Sequence, residues 1–366
     1  MSINKVIVSG GGSGGHIFPA IAIANKIKEE NPQADILFIG AEGKMEMTKV
    51  PAAGYKIVGL WISGFQRRIT FKNVLLPFKV LASLLKARKI IKNFNPDVVI
   101  GVGGYASAPT LKIASMLNIP TIVQEQNSFP GKTNKILSKN VTKICVAYEG
   151  LEKFFPKEKI VITGNPVRSQ VVKIDGLRQK GFEYFKLDPN KKTVLVVGGS
   201  LGAKTLNESF VHQIARLQKE DIQLIWQSGS YQYEEMLEIT SSMDMKGIVL
   251  TKFINNMELA YAAADVIVSR AGAIAISELC IIGKPTILVP SPNVAEDHQT
   301  KNAMALVKDK AAILVKDVSA RENLVSRLLK LLSDSQEMEN LSVNIKQKAI
   351  DNADQRIINV INNIID

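Results

Sequence analysis

Short, nearly unbroken runs of Val, Ile and Leu recur along this chain. Each is followed by a stretch in which apolar residues return every three or four positions. The runs predict strands at 4–9, 34–39, 97–101, 120–125, 143–147 and 160–163, and then at 193–197, 222–227, 247–250, 265–269, 285–289 and 312–315. Continuous apolar strands are those buried on both faces, as in parallel sheets covered by helices. Strand–helix alternation in two successive series therefore predicts an α/β protein with two Rossmann-like parallel-sheet domains. The series part at "TGNPVRSQ", residues 163–170, where Asn165-Pro166 interrupts the pattern. The expected organisation is a first domain over 1–163, a hinge over 164–170 and a second domain over 171–343. An amphipathic helix over 344–366, with Ile350, Ile357, Ile361 and Ile364 on one face, would close the chain.

Three of the strand ends run into glycine. "VIVSGGGSGGHIFPA" passes from the first strand through Gly10, Gly12 and Gly15 into a helix, with His16, one of three histidines, at the junction. "GVGGYASAP" and "VVGGSLGAKTLN" place further glycine turns after the strands near Ile100 and Val197. Glycine accepts positive φ and lets a ligand approach the backbone, and the start of the following helix favours an anion. Open parallel sheets bind ligands at this edge of their strands. One reading is a dinucleotide oxidoreductase, with Glu42 as the acidic residue after the second strand. A tight turn with no ligand is the plain alternative. A glycine turn opening both halves favours a third reading, a glycosyltransferase whose two domains face each other across a cleft.

The second half carries a sharper motif, "ADVIVSRAGAIAISELCIIGKPTILVP", residues 264–290. A strand ends at Ser269, a turn follows at Arg270-Ala271-Gly272, and a helix opens near Ala273. Its first N–H groups suit a pyrophosphate, and Glu278, a turn and a half on, suits the vicinal hydroxyls of a ribose. Glu278 as a solvated helix carboxylate is the competing reading. "PSPNVAEDHQTKNA" then sets His298 and Gln299 on the next loop.

Composition narrows these choices. At 366 residues the chain is long for one core, and 46% hydrophobic with 22% charged residues is a soluble globular balance. Cys145 and Cys280 lie in apolar surroundings without metal-ligand spacing and read as small core residues. With no leader pattern and no apolar run of about 18 residues, a cytoplasmic protein without a spanning segment is expected. A net charge of +12 calls for an acidic partner: nucleic acid, an anionic membrane or a phosphorylated substrate. Aromatic residues at 6% and the lack of a stacking motif argue against nucleic acid. "FPGKTN" has Gln126 where an ATP-binding loop needs glycine, and His212 sits in a helix-patterned stretch as a surface or satisfied residue. No Asp-x-Asp occurs, so no bound metal is expected, and leaving-group charge would fall to a helix N-terminus, loop amides and Arg270.

The set "GGGSGGHIFPA", "GVGGYASAP", "QEQNSFPGKTN", "TGNPVR", "GGSLGAKTLN", "SRAGAIAISE" and "DHQTKNA" resembles the MurG family, in family order from about residue 5 to about residue 340. The resemblance implies a GT-B fold, with an N-terminal acceptor domain, a C-terminal UDP-sugar domain and a last helix that returns to the first domain. It implies transfer of N-acetylglucosamine from UDP-N-acetylglucosamine to the N-acetylmuramoyl 4-hydroxyl of lipid I, forming lipid II for peptidoglycan, with inversion and without a cofactor. By the same resemblance Gly12, Gly103, Gly104 and Tyr105 belong to the acceptor. Ser13, Gly14, Gly15 and Asn127 lie where the donor sugar is transferred. Arg168, Ser200, Ile254, Arg270, Gly272, Ala273, Ile274, Glu278, His298 and Gln299 surround the donor. Catalysis falls to His16 or Glu125. An imidazole titrating near neutrality suits removal of the acceptor's proton, while Glu125 as base, or His16 bonded to a phosphate, are the alternatives. Gln124 stands where some relatives carry histidine, and Ala275 where a hydroxyl residue can occur, so neither is assigned a role.

Residues 61–94 concentrate basic and apolar side chains. Leu81, Leu84, Leu85 and Ile91 fit the core stripe of a helix. Arg67, Arg68, Ile69, Phe71 and Lys72 suit a loop lying on anionic lipid, against the alternative of a solvated basic face. The expected partners are UDP-N-acetylglucosamine, lipid I and an anionic phospholipid surface, with no nucleic acid. The expected location is peripheral, on the cytoplasmic face of the bacterial cell membrane.

Overall fold

A computed structural model describes residues 3–63, 76–167 and 169–365. The expected membrane residues Arg67, Arg68, Ile69, Phe71 and Lys72, and the expected donor residue Arg168, lie outside the described residues. The chain divides into two compact units, Met1–Val167 with Asp351–Asp366, and Arg168–Ile350.

In the first unit, β1 (Lys5–Gly10), β2 (Asp35–Ala41), β3 (Lys56–Leu60), β4 (Val98–Gly103), β5 (Thr121–Glu125), β6 (Lys143–Val146) and β7 (Ile160–Ile162) pair in the order β3-β2-β1-β4-β5-β6-β7. All the pairs are parallel. Val6 and Val8 pack with Ile17, Ile23 and Ile27 of the helix Gly14–Glu30, whereas Ile7 joins Val99 and Leu111 on the opposite face. Burial on both faces is why the strands read as continuous apolar runs. β3 escaped the sequence reading because "KIVGL" is a short edge strand with Lys56 and Gly59 breaking its apolar run.

The terminal segment is not one helix. Asn344 to Lys346 finish the helix Ser335–Lys346, Asn352 takes a left-handed φ of 55°, and a new helix runs over Ala353–Ile365. It buries Ile357, Ile358, Val360 and Ile361 in the core that holds Val6, beside the helix Gly14–Glu30. Ile350 lies outside it. The expected hinge is also shorter at its start. Thr163 N–H and Gly164 N–H both donate to Val146 O, and buried Asn165 accepts from Gln124 Nε2 and donates to Gln126 O, so these residues belong to the first unit.

The second unit repeats the plan with β8 (Lys192–Val197), β9 (Ile222–Gln227), β10 (Ile248–Thr251), β11 (Val266–Ser269), β12 (Thr286–Leu288) and β13 (Ile313–Leu314). Their order is β10-β9-β8-β11-β12-β13, again all parallel. Fully buried Trp226 donates its indole N–H to Asn207 Oδ1 at 2.9 Å, which satisfies the one polar atom that its burial would strand. Cys145 and Cys280 are buried and unbridged, and desolvation pushes both thiols up to about 12. In each sheet the strand order reverses once, between β1 and β4 and between β8 and β11. Connections leave these neighbours toward opposite faces, and the crevice at their carboxyl ends is where such sheets bind ligands.

Candidate active site

The glycine turns occupy those crevices. The register of β1 and β4 shifts after Ser9, so that Gly103 comes opposite Gly10. Gly104, at φ 89°, then lies against Gly11, where a Cβ would come within 2.5 Å of the Gly11 carbonyl oxygen. Only glycine permits that contact between the two loops. The helix Gly14–Glu30 starts at Ser13 without a side-chain cap, and a Cβ on Gly12 would meet open space. The start of this helix is therefore open to an anion. His16, half-buried in its first turn, sets Nδ1 3.0 Å from Gly11 O. Its opposite edge lies against Gly103, where a Cβ would stand 2.8 Å from Nε2. Tyr105 is exposed on the same loop. The structure thus gathers Gly12, Ser13, His16, Gly103 and Gly104, as expected from the motifs. It also places Glu46 there, which the sequence reading passed over, and directs the Gly12 N–H onto its Oε2 at 2.8 Å. Glu42, weighed as a ribose ligand, instead pairs with Lys86 at 2.9 Å.

Glu125 ends β5 and is 1% exposed. Oε1 accepts from Asn127 N–H at 3.0 Å and from Asn127 Nδ2 at 3.1 Å; Oε2 accepts from Gly131 N–H at 3.1 Å and Asn134 Nδ2 at 2.8 Å. Four donors on one carboxylate brace the loop that carries Asn127. Gln124 and Gln126 are buried in an amide network with Asn165 and Val102 O.

In the second unit, the helix Ala273–Ile282 starts at Gly272 with extended geometry, no side-chain cap and open space where a Cβ would stand. The N–H groups of Ala273 and Ile274 are thereby presented at the switch point. Glu278 is 6% exposed and its Oε2 accepts from Tyr261 OH at 3.4 Å, so it is a buried carboxylate and not a solvated one. Gln299 Oε1 joins the two neighbouring loops by accepting from Ala271 N–H at 3.2 Å and Ser291 N–H at 2.8 Å. His298 opens the next helix, His298–Val307, after Glu296 and Asp297, both at φ 53°. Two adjacent left-handed residues that are not glycine hold local strain.

Arg270 NH1 donates to Val289 O, Pro290 O and Asp317 Oδ1, the last at 2.5 Å, and Thr205 holds the other Asp317 oxygen. Arg270 thereby pins the loop after β11 to the end of β12. The glycine turn after β8 rests on the loop after β9: Gly202, at φ 90°, would put a Cβ 2.1 Å from Ser228 O. Ser200 lies on this turn, and its carbonyl accepts from Ser230 N–H. Gln227, also passed over, donates to Gly199 O and accepts from Ile254 N–H, so the Ile254 amide is already engaged.

Two parallel sheets, each with a glycine turn and an uncapped helix start at its switch point, make this a two-domain α/β protein of the GT-B fold class. Residues 6–146 match the glycosyltransferase family 28 N-terminal domain, and residues 193–357 match the family 28 C-terminal domain. The chain belongs to glycosyltransferase family 28. It is 52% identical, over 99% of its length and 98% of theirs, to transferases of Flavobacterium psychrophilum and Parabacteroides distasonis. Both are named UDP-N-acetylglucosamine–N-acetylmuramyl-(pentapeptide) pyrophosphoryl-undecaprenol N-acetylglucosamine transferase. The solved structure of Acinetobacter baumannii MurG superposes with a TM-score of 0.80 at 27% identity, covering 98% of this chain and 99% of that one. A Neisseria meningitidis UDP-N-acetylglucosamine 2-epimerase, at 14% identity and TM-score 0.66, shares the fold. The MurG resemblance and the two-sheet α/β fold expected from the motifs are both borne out.

Proposed function

We infer that this protein is an inverting hexosyltransferase that moves N-acetylglucosamine from UDP-N-acetylglucosamine to the N-acetylmuramoyl 4-hydroxyl of lipid I, forming lipid II. The observation that carries this is the 52% identity, across nearly the full length of both chains, to transferases named for that donor and acceptor. The roles of individual residues follow from the geometry. A carbonyl has no proton to give, so the bond to Gly11 O requires the proton on His16 Nδ1 and leaves Nε2 of the neutral ring as an acceptor. That is the form a general base needs to take the proton of the attacking hydroxyl. Direct displacement by that hydroxyl inverts the anomeric carbon. Glu125, with both oxygens occupied by loop donors, suits bracing better than proton transfer. In the second unit the open start of the helix Ala273–Ile282 suits the UDP diphosphate, and Glu278 the ribose.

The lipid acceptor calls for a membrane-facing surface. The helix Leu76–Phe94 turns only Ser83, Ala87 and Ile91 fully inward. Phe78, Leu81 and Leu85, 66%, 58% and 61% exposed, form an outer apolar stripe that continues into Arg88, Lys89 and Lys92. Leu81 and Leu85 are thus not the core residues their spacing implied, because the small Ser83 and Ala87 take the packed face. Exposed apolar side chains flanked by cations suit the surface of an anionic leaflet. No helix among the described residues is long and apolar enough to cross a membrane, and peripheral attachment at the cytoplasmic face is the reading we favour. Incubation with radiolabelled UDP-N-acetylglucosamine and a lipid-linked acceptor should place label on the lipid. Absence of labelled lipid, or oxidation of NADH in a parallel absorbance assay, would overturn the assignment.

A further inference from the structure

Glu46 opens the helix Glu46–Ala52 and is 1% exposed, yet among the described residues it has no ion-pair partner. Backbone meets it instead: Ala41 N–H donates to Oε1 at 3.0 Å and Gly12 N–H to Oε2 at 2.8 Å. Two glycines clear the space. A Cβ on Gly11 would stand 2.1 Å from the Glu46 carboxylate carbon, and one on Gly40 2.6 Å from its Cγ. A carboxylate has therefore been fitted against the first glycine turn.

The Gly12 N–H and the Gly11 C=O are the two ends of one peptide group. Glu46 accepts from the first, and His16 Nδ1 donates to the second at 3.0 Å, nearer than Ser13 Oγ at 3.5 Å. We propose that Glu46 is a positioning residue that acts on His16 through this shared peptide, a proposal that rests on the reading of His16 as the base. A negative charge at the N–H end draws electron density toward the carbonyl oxygen and makes it a stronger acceptor. The stronger bond holds the proton on Nδ1, orients the ring and stabilises the imidazolium formed when Nε2 takes a proton. A carboxylate bonded directly to a histidine base works in this way; here a peptide group stands between them. The arrangement also removes Gly12 N–H from any phosphate site, so an anion at this turn is left to the amides from Ser13 onward.

The tautomer and the kinetics test this together. In the full-length protein labelled with nitrogen-15, with His16 assigned by its loss in His16→Ala, the neutral His16 ring should carry its proton on Nδ1. Glu46→Gln should move that population toward the other tautomer and lower kcat about tenfold or more, with KM for UDP-N-acetylglucosamine within twofold of wild type. In a His16→Ala background the same substitution should lower kcat no further, because its effect passes through the ring. A wild-type ring protonated on Nε2, or losses that multiply in the double variant, would overturn the proposal. Should Glu46→Gln fail to fold, Glu46→Asp is read by the same measurements. A His16→Ala enzyme within fivefold of wild-type kcat would remove the base reading instead, and the tautomer shift would still decide whether Glu46 sets the ring.

Discussion

Replacing Glu125 by glutamine separates its two candidate roles, because bracing and proton transfer fail in different ways. The carboxylate takes two N–H donors on each oxygen while almost fully buried. Glutamine keeps one oxygen. Whichever way the amide turns, its NH2 faces one backbone N–H that has lost its acceptor, and an asparagine amide that must turn over to accept from it. A hydrogen bond to a charged group contributes about 1.5–3 kcal/mol, so the stranded backbone N–H alone accounts for about that much. The bonds that remain are also weakened by loss of the charge. Against a typical stability of about 5–15 kcal/mol, the first unit should be clearly destabilised.

The chain's two tryptophans fall one in each unit, Trp61 in the first and fully buried Trp226 in the second, which makes the loss local and visible. In urea, Glu125→Gln should unfold the first unit at lower denaturant in a Trp226→Phe background. The signal of Trp226 in a Trp61→Phe background should keep its midpoint. Turnover falls as Asn127 loses its anchor. His16→Ala should do the reverse, with turnover lower by about 10²- to 10⁴-fold and stability nearly unchanged. If Glu125→Gln stays within about 1 kcal/mol of wild type while turnover drops a thousandfold, the carboxylate acts in the chemistry and the bracing argument is wrong.

Glu278→Ala should weaken UDP binding by about 1.5–3 kcal/mol, roughly ten- to a hundredfold, if the carboxylate holds the ribose; unchanged affinity in calorimetry would take it out of the site. Lys284 is half-buried, its ammonium donating to Ala262 O and Ala264 O, and desolvation lowers it from an ordinary 10.5 to about 8. The unfolded chain then binds more protons than the folded one between those values. Wild-type stability should rise with pH across that window relative to Lys284→Met, by roughly 3 kcal/mol at most, and parallel pH–stability curves would contradict this. Converting Phe78, Leu81 and Leu85 to serine should reduce sedimentation with anionic vesicles. Transfer to a short-chain soluble acceptor should be left near wild type; unaltered vesicle binding would move the membrane face elsewhere.

What could be read in advance, and what could not, follows from where each signal resides. A strand buried on both faces must be apolar throughout, so all but the half-buried edge strand β3 were visible as runs. A turn that meets another backbone, as Gly11 meets Gly104, must be glycine, and a helix start left open for an anion keeps glycine or serine before it. These requirements leave marks in single residue types. The groups that brace the loops leave none, because their partners are backbone amides that every residue owns or side chains distant in sequence. Glu46 sits in "AEGKMEMTK", where nothing distinguishes a carboxylate aimed at Gly12 from one in water. Gln227 and Asp317 are equally silent until Ile254 and Arg270 arrive beside them from 27 and 47 residues away. The helix Leu76–Phe94 adds a different case. Its period showed that one face is apolar, but Ser83 and Ala87 were small enough to pack closely and left Leu81 and Leu85 outside. Periodicity identifies a face to be covered; whether protein or lipid covers it depends on which residues the neighbouring elements leave room for.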